Sequence, residues 1–262
     1  MKQNETRPLV IIDNGHGCET AGKQSPFADG VLEWKYVRQV AHEVVDRLIA
    51  LDFDARLLVP DDHDLPLQAR CQRATNWCHE HSAHGGIAAQ RLLVSIHVNA
   101  EPLLYEDDSG EASGWEAWVC GSNSNTRGLA AELYMAAVRH LPDTFPIRTE
   151  RGNLRTLLTQ EHSDASHRGG INRLGNVGRQ ASFYILRNTP CPAVLTENLF
   201  MTNRDDATYL LSTEGFESIV TLHVEGIRRY LYTRSPSPTL PKGEGGRLAE
   251  GREGERRVIS DY

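Results

Sequence analysis

A chain of 262 residues, 39% of them hydrophobic, is long enough for one sizeable core and suits a single domain with an appendage. A formal net charge of −7 leaves no broad basic face, which argues against nucleic acid as a partner. Five cysteines (Cys18, Cys71, Cys78, Cys120, Cys191) without a CxxC pair argue against a disulfide framework, and no apolar run is long enough to span a bilayer.

The polar start, Met1 to Pro8, lacks the apolar h-region of an export signal and runs straight into Leu9 to Ile12, which reads as a buried strand. Asp13 to Gly17 is the turn that ends it. From Glu33 the apolar residues Val37, Val40, Ala41, Val44 and Leu48 follow helical spacing. Ala55 to Val59 is the next expected strand, Leu67 to His79 a helix, and Leu92 to Ile96 and Trp115 to Val119 two further strands. Thr126 to Leu141 is helical in pattern. The stretch from Pro142 to Gln180 is polar and glycine-rich and shows no clear period. Phe183 to Leu186 and Ala193 to Thr196 are expected as strands, and Phe216, Ile219, Val220, Val224, Ile227 and Leu231 mark a closing helix. This alternation predicts an α/β fold, a central sheet covered by helices on both faces. After Thr233 the composition turns to Ser, Pro, Gly and charge with no apolar period. The catalytic domain is therefore set at 1–233, and 234–262 is expected to be a disordered tail.

Three expected strand ends carry residues that a buried core does not need. His16 lies between two glycines directly after the first strand, at the kind of edge where open α/β sheets place their sites. His97 and Asn99 end the Leu92 strand, and Glu197 ends the apolar run from Ala193. Two histidines and a carboxylate are a common catalytic zinc set, with a fourth position left for water. A further carboxylate can then move the water's proton to the leaving amine. His16, His97 and an acid would form such a site, with Glu197 as general base. Spacing alone leaves the acid open between Glu19, in an HxxE arrangement with His16, and Glu33 at the start of the first helix. Arg187, near a strand end, could hold a substrate carboxylate, and Asn99 could orient substrate or cap its turn.

The segments Val10 to Gly17, Leu32–Glu33, Ser95 to Ala100 and Pro192 to Asn203 resemble, in order, the zinc-dependent N-acetylmuramoyl-L-alanine amidase family. Leu67 to Arg70 and Gly226–Ile227 add to the resemblance, which runs from about Leu9 to Tyr232. It implies a twisted sheet of about six strands and one Zn2+ held by His16, Glu33 and His97, so it favours Glu33 over Glu19. It also implies Glu197 as catalytic base and peptidoglycan or a muropeptide as substrate, cut between N-acetylmuramic acid and L-alanine. A monomer is expected. The chain departs from the pattern at Cys18, where a second glycine is usual, and at Asn198–Leu199–Phe200, where Gly-Phe often follows the glutamate. The segment from Arg148 to Gln180 stands where some members carry a regulatory or substrate-selecting insertion. Two alternatives are a wall metallopeptidase using Glu19 and a non-catalytic wall-binding module.

Overall fold

The computed structural model of the protein describes residues 6–27, 29–103, 109–162 and 178–233. The expected tail at 234–262 and residues 163–177 of the segment from Arg148 to Gln180 lie outside the described residues. In chain order the strands are β1 (Leu9–Asn14), β2 (Asp54–Leu57), β3 (Arg91–Asn99), β4 (Trp115–Val119), β5 (Ile147–Thr149), β6 (Gly152–Asn153), β7 (Arg179–Gln180) and β8 (Ala193–Phe200). The helices are α1 (Glu33–Ala50), α2 (Leu67–Ala83), α3 (Ser124–His140), α4 (Leu154–His162), α5 (Tyr184–Arg187), α6 (Arg204–Leu211) and α7 (Thr213–Tyr232).

The strands join in the order β2-β1-β3-β8-β4-β5-β6, with β7 also paired to β4. From β2 to β8 the pairing is parallel, which requires helical crossovers, and β4 then runs antiparallel to β8. Among the described residues the sheet has eight strands, where about six were expected. Five coincide with the sequence reading, and β5, β6 and β7 come from the stretch that showed no period. The expected strand at Phe183 to Leu186 is instead the helical turn α5. Ile185 and Leu186, adjacent in sequence, are both buried. Arg187 N–H donates to Phe183 O and Asn188 N–H to Tyr184 O, the i to i+4 bonds of a helical turn.

Alternation of side chains sorts the core into two layers. Val10 and Ile12 of β1, and Leu92, Val94, Ile96 and Val98 of β3, face the larger cluster under α1, α3 and α7. Leu9, Ile11 and Leu93 face the smaller cluster under α2 and α5, together with Ala193 and Leu195. In α1 the buried Val37, Val40, Ala41, Val44 and Leu48 form the stripe that seats it on the sheet. Helix α7 is started by Ser212, whose Oγ accepts Gly215 N–H at 2.9 Å. Helix α6, absent from the sequence reading, is capped by the Asn203 side chain, which accepts from Asp205 and Asp206 N–H. Among the described residues no helix is long and apolar enough to cross a membrane.

Candidate metal centre

On the α2 face, the polar side chains Asp13, Ser95, His97 and Glu197 continue the odd-numbered alternation past the last apolar residue of β1, β3 and β8. Register places them side by side: Asp13 beside Ser95, and His97 beside Glu197. A register shift between His97 and Asn99 then marks the end of regular pairing. His16 leaves β1 with φ +62, a left-handed conformation rare for a residue with a Cβ. Its neighbour Gly15 donates N–H to Ile96 O at 3.0 Å and lies flat against the His97 ring, where no Cβ fits. The two imidazoles meet edge to face with centroids 5.0 Å apart.

Glu33, the first residue of α1, reaches back over the ends of β1 and β3. Its Oε1 lies 3.2 Å from His97 Nδ1 and 3.5 Å from His16 Nε2, and accepts Val98 N–H at 3.1 Å. One ligand-capable atom from each of His16, Glu33 and His97 falls within 4.8 Å of the others. The Glu33 side chain is 1% exposed, and its Oε2 is buried without a partner among the described residues. Burial lowers the His16 pKa to about 4, against the opposing charge of Glu33, so the imidazole is neutral near pH 7 with a free lone pair. For Glu33 burial opposes ionisation, yet the His97 hydrogen bond and the two imidazoles outweigh it and hold the carboxyl below its usual range. Burial likewise opposes protonation of His97, but Glu33 and Glu197 outweigh it and raise its pKa. Two imidazoles and a carboxylate with an unsatisfied buried oxygen fit a zinc ion with one position left open.

Glu197 stands on the far side of His97 from His16. Burial, with help from the charges of Glu33 and Glu116 and against that of His97, pushes its pKa up to about 8. Its Oε2 is buried and without a partner among the described residues. His16, His97 and Glu197 line one cleft of about 640 Å³, walled on the other side by Leu65, Phe183 and Tyr184. Beneath it Arg70 of α2, 2% exposed, donates to Asp13 (2.6 Å), Asp64 (2.7 Å) and the carbonyls of Asn14 and Leu65. Asp13 also accepts from Ser95 Oγ at 2.6 Å. That network ties the ends of β1 and β3 to the start of α2.

Glu19 is not part of the His16 cluster. It meets Cys18 and His63 at the surface, and its Oε1 accepts Asp64 N–H. Asn99 turns its amide to Glu116 Oε1 at 3.0 Å and accepts Ala100 N–H, so its side chain is held within the protein. Arg187 reaches Ser182 Oγ and lies over the Tyr184 ring, outside the residues that line the cleft. Glu116, 2% exposed on β4, went unread as a site residue, although it sits directly across from Glu197 in the sheet. A charged residue between Trp115 and Trp118 was its one sequence signal.

A sequence profile described as N-acetylmuramoyl-L-alanine amidase matches residues 10–229. The chain is 43% identical over 226 residues to N-acetylmuramoyl-L-alanine amidase CwlM of Bacillus licheniformis, covering 84% of this chain and 67% of that one. To the endolysin of Bacillus phage SPP1 it is 26% identical over 239 residues, 90% of this chain and 71% of the relative. Among solved structures, the fold resembles the N-acetylmuramoyl-L-alanine amidase from Clostridium difficile 630, with a TM-score of 0.63 and 21% identity over 87% of this chain and 99% of that one.

Proposed function

The chain belongs to the N-acetylmuramoyl-L-alanine amidase family, and from that premise we propose that it hydrolyses the amide between N-acetylmuramic acid and L-alanine in peptidoglycan, with His16, Glu33 and His97 as ligands of one zinc ion and Glu197 as general base. The observation that supports this assignment is the register of His97 against Glu197 beside the convergence of His16 and Glu33. A zinc ion held there would polarise the lactyl carbonyl and bring the pKa of a bound water to roughly 7. Glu197 takes the proton of the attacking water as the new C–O bond forms, and returns it to the alanine nitrogen as the C–N bond breaks. The Asp13–Arg70–Ser95 network holds the strand ends in register while this happens. Leu65, Phe183 and Tyr184 give the cleft an apolar wall.

The test is mass spectrometry of purified peptidoglycan digested by the zinc-loaded protein, with Glu197→Gln and Glu33→Gln as comparisons. The expected products are free peptides beginning with L-alanine, reduced about 100-fold or more in Glu197→Gln, and zinc loss in Glu33→Gln. Shortened peptides still attached to muramic acid would mean a peptidase and would overturn the reading.

A further inference from the structure

We propose that Arg148 and Arg179 form a carboxylate-binding subsite that reads an acidic group on the substrate's peptide, on the leaving-group side of Glu197. This inference rests on the amidase reading above. Four residues form one row across adjacent strands: His97 of β3, Glu197 of β8, Glu116 of β4 and Arg148 of β5. The metal-ligand cluster lies at the β1–β3 end of that row. The proposal seats the departing peptide on the side of Glu197 away from the metal ligands, toward Glu116 and Arg148.

What waits there is a buried carboxylate shared by two guanidinium groups. Glu116 is 2% exposed and fully engaged: Oε1 accepts from Asn99 Nδ2 at 3.0 Å and Trp118 Nε1 at 3.1 Å, and Oε2 from Arg148 Nε at 3.2 Å and Arg179 at 2.6 Å. Among the described residues, the one Glu116 carboxylate is shared by two guanidinium groups. The two arginine side chains are 35% and 29% exposed, so their outer edges reach solvent while their inner edges are fixed. Arg179 lies 4.5 Å over the Trp118 ring, and its Nε is buried without a partner among the described residues. Arg148, Arg179 and Trp118 stand beyond the residues that line the cleft, and Trp118 adjoins it by packing edge-on against Phe183, which does line it. Arg148 is held over Phe200 at 5.0 Å and donates to Ser113 O at 3.3 Å. Guanidinium groups immobilised by an internal carboxylate and by aromatic faces suit recognition of a carboxylate, since little side-chain freedom remains to be lost on binding. Strands are about 4.8 Å apart, so Arg148 starts about two strand widths from Glu197 and its side chain reaches back. A carboxylate on the second peptide residue lies roughly 6 Å beyond the scissile nitrogen by standard bond lengths, within that span.

The experiment compares two soluble muropeptides that differ only in a free α-carboxylate or a carboxamide on the second peptide residue. The parent protein is expected to show the lower KM for the carboxylate form. Arg179→Gln should raise that KM about ten-fold, the loss expected for one charged hydrogen bond, with kcat unchanged and the amide substrate affected less than about two-fold. A second measurement needs no variant: competitive inhibition of the parent enzyme by the released dipeptide should be stronger for its carboxylate form than for its amide. Equal KM and equal inhibition for the two forms, or an equal KM rise for both in Arg179→Gln, overturns the subsite and makes the cluster a purely structural ion network. Absence of cleavage of either substrate by the parent overturns the amidase reading, and the subsite with it.

Discussion

Gly15→Ala tests whether His97 is held in a metal-binding pose by the bare backbone beside it. A Cβ at residue 15 would overlap the imidazole, with Cε1 and Nδ1 nearest and Nε2 still only 2.8 Å away. Ordinary carbon contacts lie near 3.5–4.0 Å, so the ring or the backbone must give by about 1 Å. The backbone is tied, because Gly15 N–H donates to Ile96 O at the end of the strand that carries His97. The ring is therefore the part that moves, and its 3.2 Å contact with Glu33 Oε1 is lost. Loss of a ligand-orienting contact costs about 10–100-fold in metal affinity, or about 1.4–2.7 kcal/mol at 1.36 kcal/mol per decade. The assay is zinc competition against a chromophoric chelator, followed by kcat/KM on a soluble muropeptide. Gly22→Ala is the control. It places a Cβ on a residue with φ +74 but in open space, so it carries backbone strain with no contact at the site. Zinc affinity and kcat/KM within about two-fold of the parent in Gly15→Ala would refute the steric account. A loss of the same size in Gly22→Ala would show that strain in the turns, not the His97 contact, sets the affinity.

Two further outcomes concern stability. His223, wholly buried on α7, uses Nδ1–H to donate to Ile219 O and Nε2 to meet Thr196 Oγ1 of β8, and burial lowers its pKa to about 4, against the Ile219 hydrogen bond. The unfolded imidazole binds its proton near pH 6.5, so this contribution is complete above that pH and is lost as pH falls from about 6.5 toward 4. Between pH 7 and pH 5 it amounts to about 2 kcal/mol. Urea denaturation should show that much more loss in the parent than in His223→Gln, and parallel slopes would refute it. Leu199 is fully buried at φ +63, in the stretch where a glycine is usual in the family pattern. Leu199→Gly relieves about 1–2 kcal/mol of left-handed strain but forfeits a buried leucine worth about 3–5 kcal/mol. The variant is expected to be less stable by about 2–3 kcal/mol, with equal or greater stability counting against the packing role.

The parts of the site that could be read in the sequence are those in which one strand end carries the whole signal. An apolar run that ends in a glycine turn with a histidine, or at a histidine or glutamate, marks His16, His97 and Glu197 separately as candidates, and alternation then puts the last two on one face. The acid could not be read that way. Glu33 and Glu19 are both near His16 in sequence, and what separates them is the return of α1 across the strand ends, a tertiary event. The resemblance favoured Glu33 before the geometry did. Segments too short to carry a period were also unreadable. A three-residue β5 and two-residue β6 and β7 show no alternation, yet they deliver Arg148 and Arg179 to Glu116 across 32 and 63 residues of chain. Phe183 to Leu186 failed for the opposite reason: a short apolar run suits a buried strand and a helical turn alike, and the i to i+4 bonds from Arg187 and Asn188 that make it a turn are not written in its pattern.

Leu199 stands in the stretch where the family pattern often has a glycine, and its backbone is left-handed, with φ +63. A glycine would make that step without cost, and here two neighbours hold it. Asn198 Nδ2 donates to His97 O at 2.8 Å, and Phe200 N–H donates to Asp206, itself buried and bonded to Ser113 and Gly114. The step is thus over-determined on both sides, and the side chain added at 199 goes into the core rather than toward the cleft. Glu197 and His97 keep their register because the strain falls one residue beyond Asn198, on a residue whose burial outweighs it.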